Sequence, residues 1–286
     1  MTGSPASVRT ITLNDGTAIP QLGFGVYLVP PEQTQRTVEQ AFEVGYRHID
    51  TAQMYRNEAE VGAAIAASGI AREDLYVTTK LNNGNHLPDD ARRTFAESLE
   101  KLGLDHVDLF LIHWPLPTRY DGDFVTTWQT MVELGEGGGT TSVGVSNFEP
   151  AHLDRIIDET GVVPAVNQIE VNPYFGNEAA RAAGARHGIA TEAWAPIARG
   201  RIAQDPTIAE IADRVGRTPA QVTLRWHLQR GDIVFPKSTH RERMEENFAL
   251  FDFELGDDDL AAISALDQGE SGRTGPNPNT FDHMSR

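Results

Sequence analysis

Three apolar segments in the first 113 residues each end on groups able to hold or move a proton. They are Arg47-His48-Ile49-Asp50-Thr51 with Tyr55 just beyond, Tyr76-Val77-Thr78-Thr79-Lys80, and Asp108-Leu109-Phe110-Leu111-Ile112-His113. A carboxylate, a phenol, an ammonium and an imidazole gathered at one rim of a sheet make a proton-donating site. An Asp–Lys ion pair beside a tyrosine hydroxyl makes the phenol a better acid, because the ammonium stabilises the phenolate left behind. Carbonyl reduction needs such a group. Any one of these residues could serve as a strand end or a surface cap; four at consecutive strand ends argue for a site.

That placement requires strands whose carboxyl ends meet. Candidate strands fall at 22–26, 46–51, 75–81, 107–113, 141–147, 165–171, 190–195 and 233–238, with helical patterns at 33–44, 57–67, 89–102, 124–134, 151–159 and 178–187 between them. Pro88-Asp89-Asp90 and Thr218-Pro219 are helix starts. Strands as uniformly apolar as Val107 to Ile112 belong in a parallel sheet covered on both faces. Eight alternating units in roughly 250 residues fit a closed (β/α)8 barrel, in which chemistry collects at the carboxyl rim. Ahead of them, residues 10–19 read as a hairpin lid around Asn14-Asp15-Gly16, a two-residue turn signal. An open doubly wound sheet is the competing architecture, but Gly23-Phe24-Gly25 lacks the third glycine and the helix start of a dinucleotide turn.

The chain has 286 residues, no cysteine and a formal net charge of −17. Residues 1–286 read as a single α/β domain, with no break in composition. Disulfides, thiolate metal sites and cysteine nucleophiles are excluded. No signal segment or membrane-length apolar run is visible, which suggests a cytoplasmic protein; a monomer is expected. Nucleic acid and acidic membranes, which need clustered Lys and Arg, are not expected partners. An anionic ligand therefore needs a local positive pocket. The nine histidines show no HxH or HExxH spacing, so no metal site is expected. Gly144-Val145-Ser146-Asn147-Phe148 lacks the closing glycine of a nucleophile elbow. Gly137-Gly138-Gly139 precedes a strand and reads as a flexible connection.

Taken in order, Leu13-Asn14-Asp15-Gly16, Gly45-Tyr46-Arg47-His48-Ile49-Asp50-Thr51-Ala52 with Tyr55, Thr79-Lys80-Leu81, Ile112-His113-Trp114-Pro115, Gly144 to Phe148, Asn167-Gln168-Ile169-Glu170, Phe235-Pro236-Lys237-Ser238 and Glu246-Asn247 resemble the aldo-keto reductases over nearly the whole chain. Within that family the chain is most similar to the actinobacterial enzymes related to 2,5-diketo-D-gluconate reductase. The resemblance implies a (β/α)8 barrel binding NADP(H) across its carboxyl rim without a Rossmann turn. It implies Tyr55 as general acid, Lys80 and Asp50 as the pair lowering its pKa, and His113 as the donor to the carbonyl oxygen. Ser146, Asn147 and Gln168 match the carboxamide-binding set, and Trp194 the aromatic that stacks on the nicotinamide. Lys237, Ser238 and Arg243 match the contacts to the adenosine 2′-phosphate, two cations at a helix start. Glu246 and Asn247 match adenine contacts. Arg241, two residues from Arg243, points elsewhere and reads as solvated surface.

The resemblance is weakest around the substrate. Asn82-Asn83 stands where many relatives place a tryptophan, while Tyr27 and Trp114 remain as apolar walls. Residues 269–286 occupy the place of the family's C-terminal substrate loop, although their Gly/Pro/Asn composition reads as a floppy end. The whole points to NADPH-dependent reduction of small aldehydes or ketones, α-dicarbonyls or keto-sugars among them. The alternatives are an alcohol or sugar dehydrogenase, or a redox-sensing NADP-binding protein on the same barrel, as the potassium-channel β subunits illustrate.

Overall fold

A computed structural model of the chain describes residues 8–284. A hairpin of β1 (Thr10–Thr12) and β2 (Ala18–Pro20) comes first. Eight parallel strands follow, each hydrogen-bonded to the next: β3 (Phe24–Gly25), β4 (His48–Asp50), β5 (Tyr76–Leu81), β6 (Val107–Ile112), β7 (Thr140–Ser146), β8 (Val166–Glu170), β9 (Ala190–Trp194) and β10 (Ile233–Val234). The ring closes where Leu22 bridges Val234: the Gly23 N–H donates to the Val234 carbonyl at 2.8 Å and the Val234 N–H to the Gln21 carbonyl at 3.0 Å. The expected barrel is therefore present.

Both seam strands are shorter than the spans 22–26 and 233–238. Pro236 has no N–H to give a ladder, so Lys237 and Ser238 follow β10 instead of closing it. The seam is also tight. A Cβ on Gly25 would lie 2.8 Å from the Phe235 carbonyl oxygen, and one on Gly23 would lie 2.7 Å from His48 Nδ1.

The helices on the outer face are α1 (Pro31–Val44), α2 (Glu58–Ser68), α3 (Pro88–Leu102), α4 (Val125–Glu136), α5 (Pro150–Thr160), α6 (Glu178–Arg186), α7 (Pro206–Val215), α8 (Pro219–Gln229), α9 (Arg241–Phe248) and α10 (Asp257–Ser264). Proline opens five of them, where its missing N–H costs nothing. The Thr218 hydroxyl accepts the Gln221 N–H while the Gln221 side chain accepts the Thr218 N–H, closing a capping box at the start of α8. Apolar helix faces then bury against the strands, as where Phe95 of α3 meets Phe110 of β6 with ring centres 4.3 Å apart. The Gly137–Gly139 link is fixed, not flexible: Gly138 has φ +80°, and a Cβ on Gly139 would lie 2.6 Å from the Phe95 ring.

The hairpin seals the amino end of the barrel. Leu13 and Ile19 join Tyr76, Leu109, Leu111, Val166 and Ile233 in one apolar cluster there. The Asn14 amide donates to the Pro164 carbonyl at 2.9 Å and the Ser142 hydroxyl to Asp15 at 2.6 Å. Its loop holds three residues, Asn14-Asp15-Gly16, between the bonded pair Leu13 and Thr17, not the expected two. Asp15 takes both the N–H and the hydroxyl of Thr17, which widens the turn. With the amino end plugged, only the carboxyl rim is left open for chemistry.

The tail is not floppy. From 269 to 284 it crosses the carboxyl rim as a strap, with 285 and 286 outside the described residues, as are 1–7 of the single domain expected. Glu170, at the end of β8, accepts the Thr274 N–H and hydroxyl at 2.6 Å each and the Gly275 N–H at 2.9 Å. Further along, Phe281 stacks on Trp114 at 4.2 Å, Asp282 pairs with Arg119 at 3.0 Å, and the His283 carbonyl accepts from the Asn83 amide at 2.8 Å. Backbone N–H groups unblocked by side chains can all reach one carboxylate, so a glycine-rich composition here serves docking.

Candidate active site

β4 and β5 are neighbours in register, so Asp50 and Lys80 rise from adjacent strand ends into the barrel mouth. Lys80 is fully buried and has three N–H donors. It donates to Asp50 Oδ1 at 2.6 Å, to the Thr51 carbonyl at 2.9 Å and to the Tyr55 hydroxyl oxygen at 3.4 Å. Each donor is thus committed, and the phenol oxygen accepts. The Tyr55 O–H must then point away from Lys80, into the open mouth. The ammonium also lies 5.0 Å from the centre of the Tyr55 ring.

Electrostatics refine one expectation. Burial, then the charge of Asp50 and the proximity of Tyr27, hold the Tyr55 proton on well above the ordinary phenol value. The phenol therefore holds its proton at neutral pH. The ammonium stands 3.4 Å from the oxygen on which negative charge appears as the proton leaves. Burial raises Asp50 while Lys80 and the Gln168 amide lower it, with burial the largest cause.

His113 stands across the mouth, its ring 5.6 Å from Tyr55 and edge-on to it. Burial, Lys80 and His86 hold its pKa well below 6.5, so the ring is neutral and carries a single N–H. The Asn147 amide fixes the His113 backbone carbonyl at 2.9 Å. Asn147 itself, at φ +64°, sits where β7 turns away, accepts the Trp194 indole N–H at 2.8 Å and donates to Ser146 at 3.0 Å. Ser146 donates to the Gln168 carbonyl at 2.8 Å. Sequence positions from 146 to 194 thus form one bonded patch beside Asp50, Tyr55, Lys80 and His113.

The patch has vacant hydrogen-bonding capacity. The Gln168 side-chain nitrogen is used twice, but its Oε1 accepts no hydrogen bond among the described residues. At the far end, Lys237 and Arg243 are exposed and make no ion pair among the described residues, unlike Arg241, which pairs with Glu43 and Glu245. Ser238 is buried and caps the His240 N–H at 3.0 Å just before α9. A free amide acceptor at one end and two unpaired cations at a helix start at the other fit an extended ligand with a carboxamide and a phosphate. Glu246 is differently engaged: its carboxylate accepts the Thr218 hydroxyl at 2.6 Å and braces the start of α8, beside buried Asn247.

The sequence profile of the aldo/keto reductase family matches residues 21–268. The chain belongs to the aldo/keto reductase family. This reductase is 50% identical over 272 residues to an aldo-keto reductase of Mycolicibacterium smegmatis, covering 95% of this chain and 98% of that one. It is 46% identical over 281 residues to the methylglyoxal reductase DkgA of Salmonella typhimurium, covering 96% and 99%. Among solved structures, a mutant of Gox0644 in complex with NADPH superposes with a TM-score of 0.92 at 44% identity, covering 96% of this chain and 99% of that one. Its eight-stranded barrel is the family's fold, and the reductase is an oxidoreductase of carbonyl groups.

Around the mouth, Tyr27 is half exposed and leans on the Tyr55 ring at 5.1 Å, Asn82 anchors to Gln53 through its N–H at 2.8 Å, and Trp114 lies under Phe281. Phe281 and Glu170 were not singled out from the sequence, and Glu192, buried one layer beneath Asp50, was not either. A carboxylate at the centre of a short strand was the available signal for the last. Among the described residues no group of His, Asp and Glu could hold a metal ion, and no helix is long and apolar enough to cross a membrane.

Proposed function

We propose that the reductase uses NADPH to reduce small aldehydes and ketones, with α-dicarbonyls and keto-sugars as its substrate class. The observation that carries the reading is the triple engagement of Lys80, which leaves the Tyr55 proton pointing into the mouth. Bound NADPH supplies the hydride. Tyr55 gives its proton to the carbonyl oxygen, Lys80 steadies the phenolate, and Asp50 holds Lys80 in place. Neutral His113 offers its N–H to the same oxygen and fixes the carbonyl's direction. Ser146, Asn147 and Gln168 receive the carboxamide, Trp194 packs on the ring, and Lys237, Ser238 and Arg243 hold the 2′-phosphate. Asn247 lines the adenine end; Glu246 contributes by fixing α8.

A mouth walled by Tyr27, Trp114 and Phe281, with Asn82 polar among them, suits a compact substrate with a second oxygen. The naming of close relatives as methylglyoxal reductases supports this class. We propose a monomer working in the cytoplasm. The test is NADPH oxidation against a panel of carbonyls, with Tyr55→Phe as control. Reduction is expected to fall by about 10²–10⁴-fold in the variant while NADPH still binds. Retention of more than about a tenth of the activity would remove Tyr55 from this role.

A further inference from the structure

Beneath the four rim groups the barrel interior stays polar. Glu192, the central residue of β9, is completely buried and faces Gln168 across the β8–β9 pairing. Its Oε2 accepts from Gln168 Nε2 at 2.8 Å, and that same nitrogen donates to Asp50 Oδ2 at 2.9 Å. Its Oε1 has no hydrogen-bond partner. His48 Nε2 lies 3.9 Å away, and the buried Tyr76 hydroxyl, itself without a hydrogen-bond partner, is close enough to feel the Glu192 charge. His48 Nδ1 lies 3.4 Å from the Pro20 carbonyl, which can only accept, so the ring proton sits on Nδ1. Nε2 is then an acceptor, taken by the Thr78 hydroxyl at 3.1 Å.

Without a partner in a dry interior, Glu192 Oε1 is costly as a carboxylate oxygen. Burial first, and the charge of Asp50 second, push Glu192 up to about 8. Burial pushes His48 down to about 3, so no cation there restores the charge. Through Oε2, Glu192 accepts one hydrogen bond, from Gln168.

A primary amide has a donating and an accepting end. With both inward contacts made by Nε2, Oε1 is the end without a partner. Rotating the amide by half a turn would set its oxygen against Asp50 and Glu192 and offer N–H groups in its place. We infer that Glu192 is a positioning residue, which together with Asp50 holds the Gln168 amide nitrogen inward and thereby fixes the orientation in which the nicotinamide carboxamide is received. This rests on the reading of Gln168 given above. Asp50 alone supplies one of the two contacts; Glu192 makes the orientation a two-point attachment. Fixing the carboxamide fixes which face of the ring meets the carbonyl.

The test compares Glu192→Gln, which keeps a neutral acceptor, with Glu192→Leu, which removes it, and Gln168→Leu alone and combined with Glu192→Leu. Two quantities are read: the NADPH dissociation constant by tryptophan fluorescence, and the facial fidelity of deuteride transfer from stereospecifically labelled NADPD. Glu192→Gln is expected to bind NADPH within about twofold of the parent. Glu192→Leu should bind roughly 5- to 10-fold more weakly, the loss of one hydrogen bond, and transfer label from the wrong face. In the Gln168→Leu background the same change should add no more than about twofold. Parental affinity and fidelity in Glu192→Leu, or additive losses in the double variant, overturn the inference. If Gln168→Leu itself leaves both quantities unchanged, the Gln168 reading fails as well. Should Glu192→Leu not fold, Glu192→Asp withdraws the oxygen by one methylene and is expected to show the same losses, with parental behaviour again overturning the inference.

Discussion

Replacing Lys80 by methionine separates chemistry from binding, because Nζ touches Asp50, Thr51 and Tyr55 but none of the groups assigned to the cofactor. The phenolate loses its cationic neighbour, so turnover should fall by about 10²–10⁴-fold, the scale of general acid catalysis. Stability should fall too, since Asp50 is left buried without its partner. Breaking a buried pair costs about 3–5 kcal/mol, or roughly 6–10 °C in Tm for a chain of this size. The sign with pH follows from Asp50. Burial already raises its pKa and Lys80 opposes that, so the variant's folded-state value lies higher still above the unfolded one. A folded group with a raised pKa binds protons more tightly than the unfolded chain, and its stability is lost as pH rises. The deficit of Lys80→Met against the parent should therefore shrink as pH is lowered. Single-turnover NADPH oxidation, fluorescence titration and thermal melts at several pH values read the three quantities. A variant with a tenth or more of parental turnover, or one whose main loss is in NADPH affinity, would refute the argument.

Arg243→Ala should weaken NADPH by roughly 10-fold and leave NADH unchanged, the modest size reflecting a contact that stays wet; equal losses for both would show that Arg243 supports α9 generally. Glu170→Ala removes all three hydrogen bonds to Thr274 and Gly275, so proteolysis within 269–284 should accelerate and KM for carbonyl substrates should rise more than kcat falls. Unchanged cleavage would mean that Phe281 and Asp282 suffice to hold the strap. His113 is held neutral by burial well below 6.5, so kcat/KM should pass through pH 6–7 without an acid limb from this residue; an NMR titration of His113 with a midpoint in that range would contradict its environment.

Asp50, Lys80 and His113 were legible because they stand at the ends of three consecutive strands, which a parallel barrel brings together, and Tyr55 follows the first of them by one short turn. The seam was legible only in part: Pro236, just past β10, is a local signal that the strand stops early, whereas the close approach of Gly25 to Phe235 across the closure has no local signature. Composition also misled at the tail: Thr274 and Gly275 there give their N–H groups to Glu170, a partner more than 100 residues away. The adenine end shows a milder version. Glu246 resembles a ligand contact, yet a threonine at the start of another helix takes its carboxylate, which no spacing reveals. Burial likewise holds the Tyr55 proton on, an effect of packing that the residue types alone do not show.

The strap also sets the order in which the mouth is assembled during synthesis. Its ties join Glu170 to Thr274, Trp114 to Phe281, Arg119 to Asp282 and Asn83 to His283. A nascent chain that has emerged through Ser264 owns every strand and every rim group, but the face of Trp114 is bare and the outer wall of the mouth is missing. At about 5–20 residues per second, the wall follows a second or so later. A chain ended early by a frameshift or a stop codon in this stretch should fold as a barrel and fail as a selective reductase.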